Sequence, residues 1–419
     1  MRDWYRVFTE NKKLLAFGFL FSFFSCFGQT FFVSLFVPHW VESLQITKTA
    51  IGSIYAVVTI AAAFLISFFG KYIDTVSLKK YSLIVFIGLI LSVVLLSQVN
   101  GVIMLTAGLF LIRWLGQGLM THASSTGIAK YIIKNRGKAL SFSALGHPAG
   151  NFLLPFIMLP LIALTGWSNS LLVVSGFALI VMLPVIAKLD SVTLPELQDG
   201  NNPVKEDTAA QKINHLKTSN FWIISVNIFA LPFILTAVFL YQYSIGEARG
   251  YSPSWIAFSF SFFAIFSAIG LLISGNLTDR YSGMFLFPLY LIPAVVGVLL
   301  LSVSDNRYLF PVFYALSGIA SGLGSVIKTA AQTEIYGTSN LGKVRGYFGT
   351  IMVISTALGP PIFAFFIERS VSFNTLMLFS GLLISLTIAV SFKMWSAEHL
   401  SRLKAFLLIP FGKSKTGTK

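Results

Sequence analysis

Residues 70–80 read GKYIDTVSLKK, and residues 275–283 read GNLTDRYSG. Each loop directly follows an apolar run, and each places Asp four residues after Gly: Gly70 with Asp74, Gly275 with Asp279. Two more pairs keep nearly the same separation. Arg136-Gly137 opens an apolar run, as does Arg345-Gly346. Gly116-Gln-Gly118 inside one run is answered by Gly322-Leu-Gly324 inside another. Three matches at nearly constant separation imply a duplicated chain, with halves at 1–188 and 219–419.

The runs around these loops are long enough to cross a bilayer, which takes about 20 apolar residues. Twelve are expected: 13–37, 47–69, 81–98, 102–124, 139–164, 169–188, 219–243, 253–274, 284–302, 308–330, 346–367 and 374–394. The expected fold class is an all-α membrane protein, two pseudo-symmetric bundles of six helices. The first bundle spans 1–188 and the second 219–395. Residues 189–218 are polar and rich in Pro, Gly and Asp, the composition of a linker. Residues 396–419 form a basic tail, which either lies in the headgroup plane as an amphipathic helix or simply supplies charge.

Composition agrees. The chain has 419 residues, 55% hydrophobic and only 11% charged, against about 25% charged in soluble domains. Its net charge of +15 would suit nucleic acid if it were clustered. Instead it sits in short loops between apolar runs, so no nucleic-acid partner is expected and anionic lipid headgroups are. The single Cys26 lies in an apolar run, which excludes an intramolecular disulfide and any Cys-based metal cluster. The first run is too long for a signal-peptide core and is read as a span. No cofactor or metal is expected.

Lys and Arg set the orientation. One set of loops holds Arg2, Arg6, Lys12, Lys13, Lys71, Lys79, Lys80, Lys130, Lys134, Arg136 and Lys138. It continues with Lys188, Lys205, Lys212, Lys217, Arg280, Lys343, Arg345 and the tail. The other holds only Lys48, Arg249, Arg307 and Arg369. Both termini are therefore expected to be cytoplasmic, in a multi-pass protein of a bacterial inner (plasma) membrane.

The Gly-x-x-x-Asp loop resembles the signature loop of the major facilitator superfamily of secondary transporters, and the resemblance covers all twelve spans. That signature continues Arg-x-Gly-Arg-Lys. The second copy keeps Arg280 and a displaced Gly283; the first has Thr75 and Ser77 instead but keeps Lys79 and Lys80. The resemblance implies a conformational latch at the cytoplasmic face: Gly70, Asp74, Lys79, Lys80, Gly275, Asp279, Arg280, Arg136 and Arg345. A carboxylate at a helix end beside cations is an ion pair that can break when bundles rock. A simple tight-loop role for the two Asp residues is the alternative. Tyr131 followed by Lys134-Asn-Arg136-Gly-Lys-Ala-Leu resembles, within the superfamily, the corresponding loop of monocarboxylate and oxalate/formate-type carriers.

Arg113 lies halfway along the fourth run, LTAGLFLIRWLGQGLM. A charge at that depth costs about 2.5–3.5 kcal/mol on insertion scales and marks a functional candidate. The second half has Ile319 or Ala320 there, so the charge belongs to one half only. All fifteen acids fall in loops, tails or span ends, leaving Arg113 without a deep carboxylate. An unpaired buried cation invites an anion, which a substrate could supply; helix carbonyls are the alternative. Lys328, near the end of the tenth run, either snorkels or adds a second anion contact.

His147, within Gly146-His-Pro-Ala-Gly150, and His122 are the available proton carriers. Pro148 is expected to bend the fifth span. In the superfamily the first, fourth, seventh and tenth spans line the cavity, which makes Gln29, Arg113, Asn227, Tyr241 and Gln242 lining candidates by resemblance. Interhelical hydrogen bonds account for any one of them equally well.

The leading expectation is a monomeric secondary transporter of a small organic anion, monocarboxylate-like, working by alternating access. An exporter of amphipathic or drug-like compounds is the alternative. An enzyme is not expected, since no metal cluster, nucleophile constellation or phosphate loop is present. A sensor would need a soluble domain that the sequence lacks.

Overall fold

The protein is described here by a computed structural model covering residues 2–132, 136–191, 218–337 and 341–395. The expectations for most of the linker and for the tail fall outside these residues. So do the side chains of Asp74, Asp279 and Arg136.

The described residues are helical almost throughout, as the expected all-α membrane fold requires. Nine helical stretches are long and apolar enough to cross a membrane. One of them, Ala139–Ala187, has 49 residues, about 73 Å if straight and more than twice the hydrocarbon thickness. It turns back at Gly166, whose φ of +79° lies in the left-handed region that glycine enters without strain. That division matches the boundary read between 164 and 169. The two other crossings of the twelve-span reading, the first and the ninth, are broken helices.

The first crossing is built from α1 (Arg2–Phe24), a 3₁₀ turn (Ser25–Gly28), α2 (Thr30–Ser34) and α3 (Val37–Leu44). Gln29 sits between turn and helix in an extended conformation, φ −86° and ψ 153°. Next come α4 (Lys48–Phe69), α5 (Leu78–Ser97) and α6 (Val102–Ile112). A π-helical segment (Arg113–Met120) then continues into α7 (Thr121–Tyr131). After α8 (Arg136–Ala144) the chain breaks at Leu145, and α9 (Gly146–Ala187) follows. Leu145 keeps right-handed helical angles and donates to Ser141, so the interruption is slight and lies about one turn before Pro148. Proline at 148 removes the N–H that would bond the Ala144 carbonyl, which is where α8 gives way to α9.

The second half contains α10 (Ser219–Ala248), α11 (Pro253–Tyr281), α12 (Gly283–Leu286), α13 (Ile292–Val303), α14 (Leu309–Tyr336), α15 (Leu341–Glu368) and α16 (Phe373–Ser391). Closely approached glycines bind helices together. A Cβ on Gly322 would lie 2.2 Å from the Ser267 carbonyl oxygen, and one on Gly359 2.1 Å from that of Phe233. By contrast, Gly346 and Gly349 of α15 meet nothing within 4 Å. Close packing along α15 therefore lies at its Gly359 end.

Contact between the halves runs mainly through α4 with α15, α9 with α11, and α10 with α2. The specific links gather where the charge-poor loops lie. Glu368 accepts from the Thr49 N–H at 2.8 Å and the Thr49 hydroxyl at 2.6 Å, so a carboxylate of one half caps the N-terminus of α4 in the other. That placement suits the positive end of a helix. The Tyr241 hydroxyl donates to the Lys48 carbonyl at 2.9 Å, and Phe31 stacks on Phe260 at 5.4 Å.

Candidate functional site

Arg113 heads the π-helical segment and is only 2% exposed. Its Nη1 donates to the Gly28 carbonyl at 3.2 Å, and its guanidinium lies over the Tyr55 ring, 4.6 Å from the centroid. The Tyr55 hydroxyl is hydrogen-bonded to Thr30 Oγ1 at 2.6 Å. Nε of Arg113 is buried without a partner, and no carboxylate pairs with it among the described residues. A guanidinium offers five N–H donors. A buried cation held by one carbonyl and one ring therefore retains donor capacity and an uncompensated charge.

Two backbone irregularities make this arrangement possible. A π turn widens the helix and often marks a functional site; here it carries Gly116 and Gly118, and the 3₁₀ turn of the first crossing ends at Gly28. The two segments pass so closely that a Cβ on Gly28 would lie 2.2 Å from the Ile112 carbonyl oxygen and 2.5 Å from the Gln117 amide nitrogen. A Cβ on Gly116 would lie 3.0 Å from the Gly28 nitrogen. Because the first crossing is not continuously helical, its Gly28 carbonyl is available to Arg113. Sequence reasoning missed Tyr55 and Thr30. Tyr55 sits in an apolar run without an acid or Gly beside it, and only its ring under Arg113 reveals its role.

Of the other candidates, Gln29 and Lys328 are half-buried, while Asn227, Tyr241 and Gln242 are buried. Asn227 donates to Ser391 Oγ at 3.1 Å and accepts from the Tyr290 hydroxyl. Both partners lie within the second bundle, and this bonding is the interhelical alternative weighed for it. Gln242 donates to Ser34 Oγ at 2.9 Å and accepts from the Tyr314 hydroxyl at 2.9 Å, linking the tenth span to the first. Tyr241 and Gln242 thus belong to the closure between halves in this conformation. The Lys328 stem lies next to Gly324, beside Tyr290.

His147 is half-buried, with Nδ1 at 3.5 Å from the Asn151 amide, and its carbonyl accepts from Cys26 Sγ at 3.7 Å. The His122 ring lies against Gly70, 3.5 Å from where a Cβ would be. His122 and the latch loop are therefore neighbours, whereas His147 faces the first crossing.

At the basic end, Lys80, Arg280 and Arg345 are exposed and Lys79 is half-buried. Arg280 lies over the Tyr281 ring at 5.0 Å. Gly70 begins a buried-sided 3₁₀ turn, and a Cβ on the half-buried Gly275 would meet nothing within 4 Å. The described anchors of the two loops are residues that the sequence reading did not assign to the latch. Lys130 Nζ donates to the Ile73 carbonyl at 3.4 Å. Glu334 accepts from the Gly283 and Met284 amides at 2.6 and 2.9 Å. One loop is tied by a cation on a carbonyl and its counterpart by a carboxylate on amides. The position of Glu334 at the end of the tenth span was the available signal.

A sequence profile described as Major Facilitator Superfamily matches residues 18–310 and, in an overlapping match, 237–406. Monocarboxylate transporter 12 of Xenopus laevis is 24% identical over 292 residues, 64% of this chain and 63% of that protein. The Homo sapiens protein of the same name is 24% identical over 300 residues, 64% of this chain and 58% of its own length. The matches thus span about three fifths of these relatives. Among solved structures, a bacterial homologue of the human lysosomal transporter Spinster, inward-facing and occupied, superposes with a TM-score of 0.69 at 14% identity. It covers 92% of this chain and 98% of that one. The nucleoside transporter NupG gives 0.68 at 13% identity, covering 92% of this chain and 100% of that one. At such identities the superpositions speak for the fold.

Proposed function

The chain belongs to the Major Facilitator Superfamily, and from that premise we propose that it carries a small organic anion, monocarboxylate-like, across the membrane by alternating access. Its family and relatives are transporters rather than enzymes, and the protein is integral and multi-pass. The observation that carries the anion reading is Arg113: buried, held by one carbonyl and the Tyr55 side chain, with no carboxylate among the described residues. A substrate carboxylate would supply the missing charge and acceptors. The low-identity likeness to monocarboxylate transporters supports the same class. At 2% exposure the guanidinium is reached only after Tyr55 or the Gly28 segment gives way, which ties recognition to a conformational step. Gln29 and Lys328 would complete the contact, with His147 or His122 carrying a proton if one accompanies the solute.

The test is a thermal-shift screen of the purified protein against organic acids, amino acids, sugars and drug-like cations. Small carboxylates are expected to raise the melting temperature, and Arg113→Gln is expected to erase the rise. A response confined to apolar drug-like compounds, unchanged in Arg113→Gln, would favour an exporter of such compounds and defeat this reading.

In the same cycle both termini and the basic loops face the cytoplasm, and the links around Glu368 and Thr49 are the closed outer gate. Glu368→Ala removes two hydrogen bonds to a charged acceptor. Each is worth about 1.5–3 kcal/mol when sheltered, but Glu368 is exposed and solvent screens it, so about 1 kcal/mol in total is expected. That corresponds to a roughly fivefold larger outer-open population. Spin-label distances across the charge-poor end should broaden toward longer values; an unchanged distribution would remove Glu368 from the gate.

A further inference from the structure

A cavity at the charge-poor end is separate from Arg113. It encloses about 690 Å³ and is lined chiefly by the second half, with Lys48 contributed by the first. Its charged lining residues are Lys48, Arg249 and Asp305, a net charge of +1. Arg249 follows α10 directly, and its side chain is 12% exposed against 78% for Asp305. Nη2 of Arg249 pairs with Asp305 Oδ1 at 2.9 Å and bonds the Asn374 side-chain oxygen; Asn374 also donates to Asp305 Oδ1 at 3.1 Å. The guanidinium lies over the Phe373 ring at 4.9 Å. These contacts use one edge of the guanidinium. The other, Nη1, is buried without a partner.

Lys48 is out of place by ordinary helix electrostatics. It is the first residue of α4, where the helix dipole disfavours a cation. Glu368, the nearby acid of the gate, is engaged by Thr49 rather than by the Lys48 ammonium. The rest of the lining is apolar or neutral, including Ile245, Val371 and Phe373. A sheltered guanidinium edge, a second cation from the opposite half and an apolar wall match a small organic carboxylate with a hydrophobic body.

We propose that this pocket is a second anion site, at the charge-poor mouth, for a small aromatic or aliphatic carboxylate. It is independent of the Arg113 site and of whether that site carries the transported solute. Because Lys48 and Arg249 belong to different halves, an occupant bridges them and holds this end shut.

The experiment uses the full-length protein in detergent, with Cys26→Ser removing the native thiol and Ala248→Cys placing one on the exposed pocket wall. Benzoate is the probe and benzamide its uncharged control; the readout is the rate of maleimide labelling. Benzoate is expected to slow labelling about tenfold at saturation and benzamide to leave it unchanged. Arg249→Gln and Lys48→Gln should abolish the protection, Arg249→Lys should keep part of it, and Arg113→Gln should keep it all. If Arg249→Gln proves too unstable to purify, Lys48→Gln decides. Unprotected labelling in the parent, equal slowing by benzamide, or protection that follows Arg113 rather than Arg249 and Lys48 would overturn the proposal.

Discussion

Arg113→Gln is expected to reduce uptake of the organic anion by about 30- to 5,000-fold while leaving expression and membrane insertion intact. The range follows from the loss of one partner of a buried, hydrogen-bonded charge pair, about 2–5 kcal/mol. Stability should fall little or rise, because the wild-type residue is a desolvated cation with an unfilled Nε and no carboxylate among the described residues. A neutral amide leaves no charge buried, although its side chain, two bonds shorter, gives up the bond that Nη1 makes to the Gly28 carbonyl. The two readouts therefore move apart: transport collapses and the melting temperature does not. Arg113→Lys keeps the charge but loses the planar fork that stacks on Tyr55, so partial activity is expected. Uptake in reconstituted vesicles checks this directly. Wild-type kinetics in Arg113→Gln would leave the buried guanidinium as a packing element.

Gly28→Ala is expected to be strongly disruptive. Its Cβ would fall 2.2 Å from the Ile112 carbonyl oxygen and 2.5 Å from the Gln117 nitrogen. Both are backbone atoms, so no side chain can turn aside, and the first crossing and the π segment must separate. Overpacking of this kind costs about 1–3 kcal/mol. The same displacement lengthens the Arg113 to Gly28 bond, so transport falls along with stability. Gly349→Ala is the control, because nothing lies within 4 Å of its Cβ. There, alanine's higher helix propensity predicts no loss and a gain of up to about 1 kcal/mol. Melting temperatures of the two purified variants would test the contrast; equal shifts would mean that the close crossing at Gly28 relaxes freely.

The membrane crossings could be read from the sequence because bilayer thickness imposes a length on each apolar run, and the Lys/Arg alternation gave a check on their number. Gly166 fell in the gap read between two runs for the same reason. The break in the first crossing was hidden. Cys26-Phe-Gly-Gln-Thr contains no proline, and an unwound stretch inside a bundle is as apolar as a helix. The π segment was equally hidden, since a shift from i+4 to i+5 bonding leaves hydrophobic content unchanged. Arg113 could be found because charge at depth is rare. Tyr55 could not, because a tyrosine in an apolar run is unremarkable until its neighbour across the bundle is known. Asn227, Tyr241 and Gln242 show the limit from the other side. Their depth could be read, but whether each served its own bundle or the boundary between halves depended on partners as far off as Ser391, Lys48 and Ser34.

The gathering of links between the halves at one end has an electrical consequence. A membrane potential falls across low-dielectric material rather than across water, and the halves are sealed together where Phe31 meets Phe260 and where Tyr241 and Gln242 reach the first half. In the proposed cycle an anion near Arg113 crosses little of the field while diffusing in. It crosses most of it when that seal dissolves and another forms at the opposite end. One uncompensated charge then carries about 2.3 kcal/mol per 100 mV, all of it in the rocking step. Movement of the anion alone is therefore voltage-driven, and movement with one proton is electrically silent.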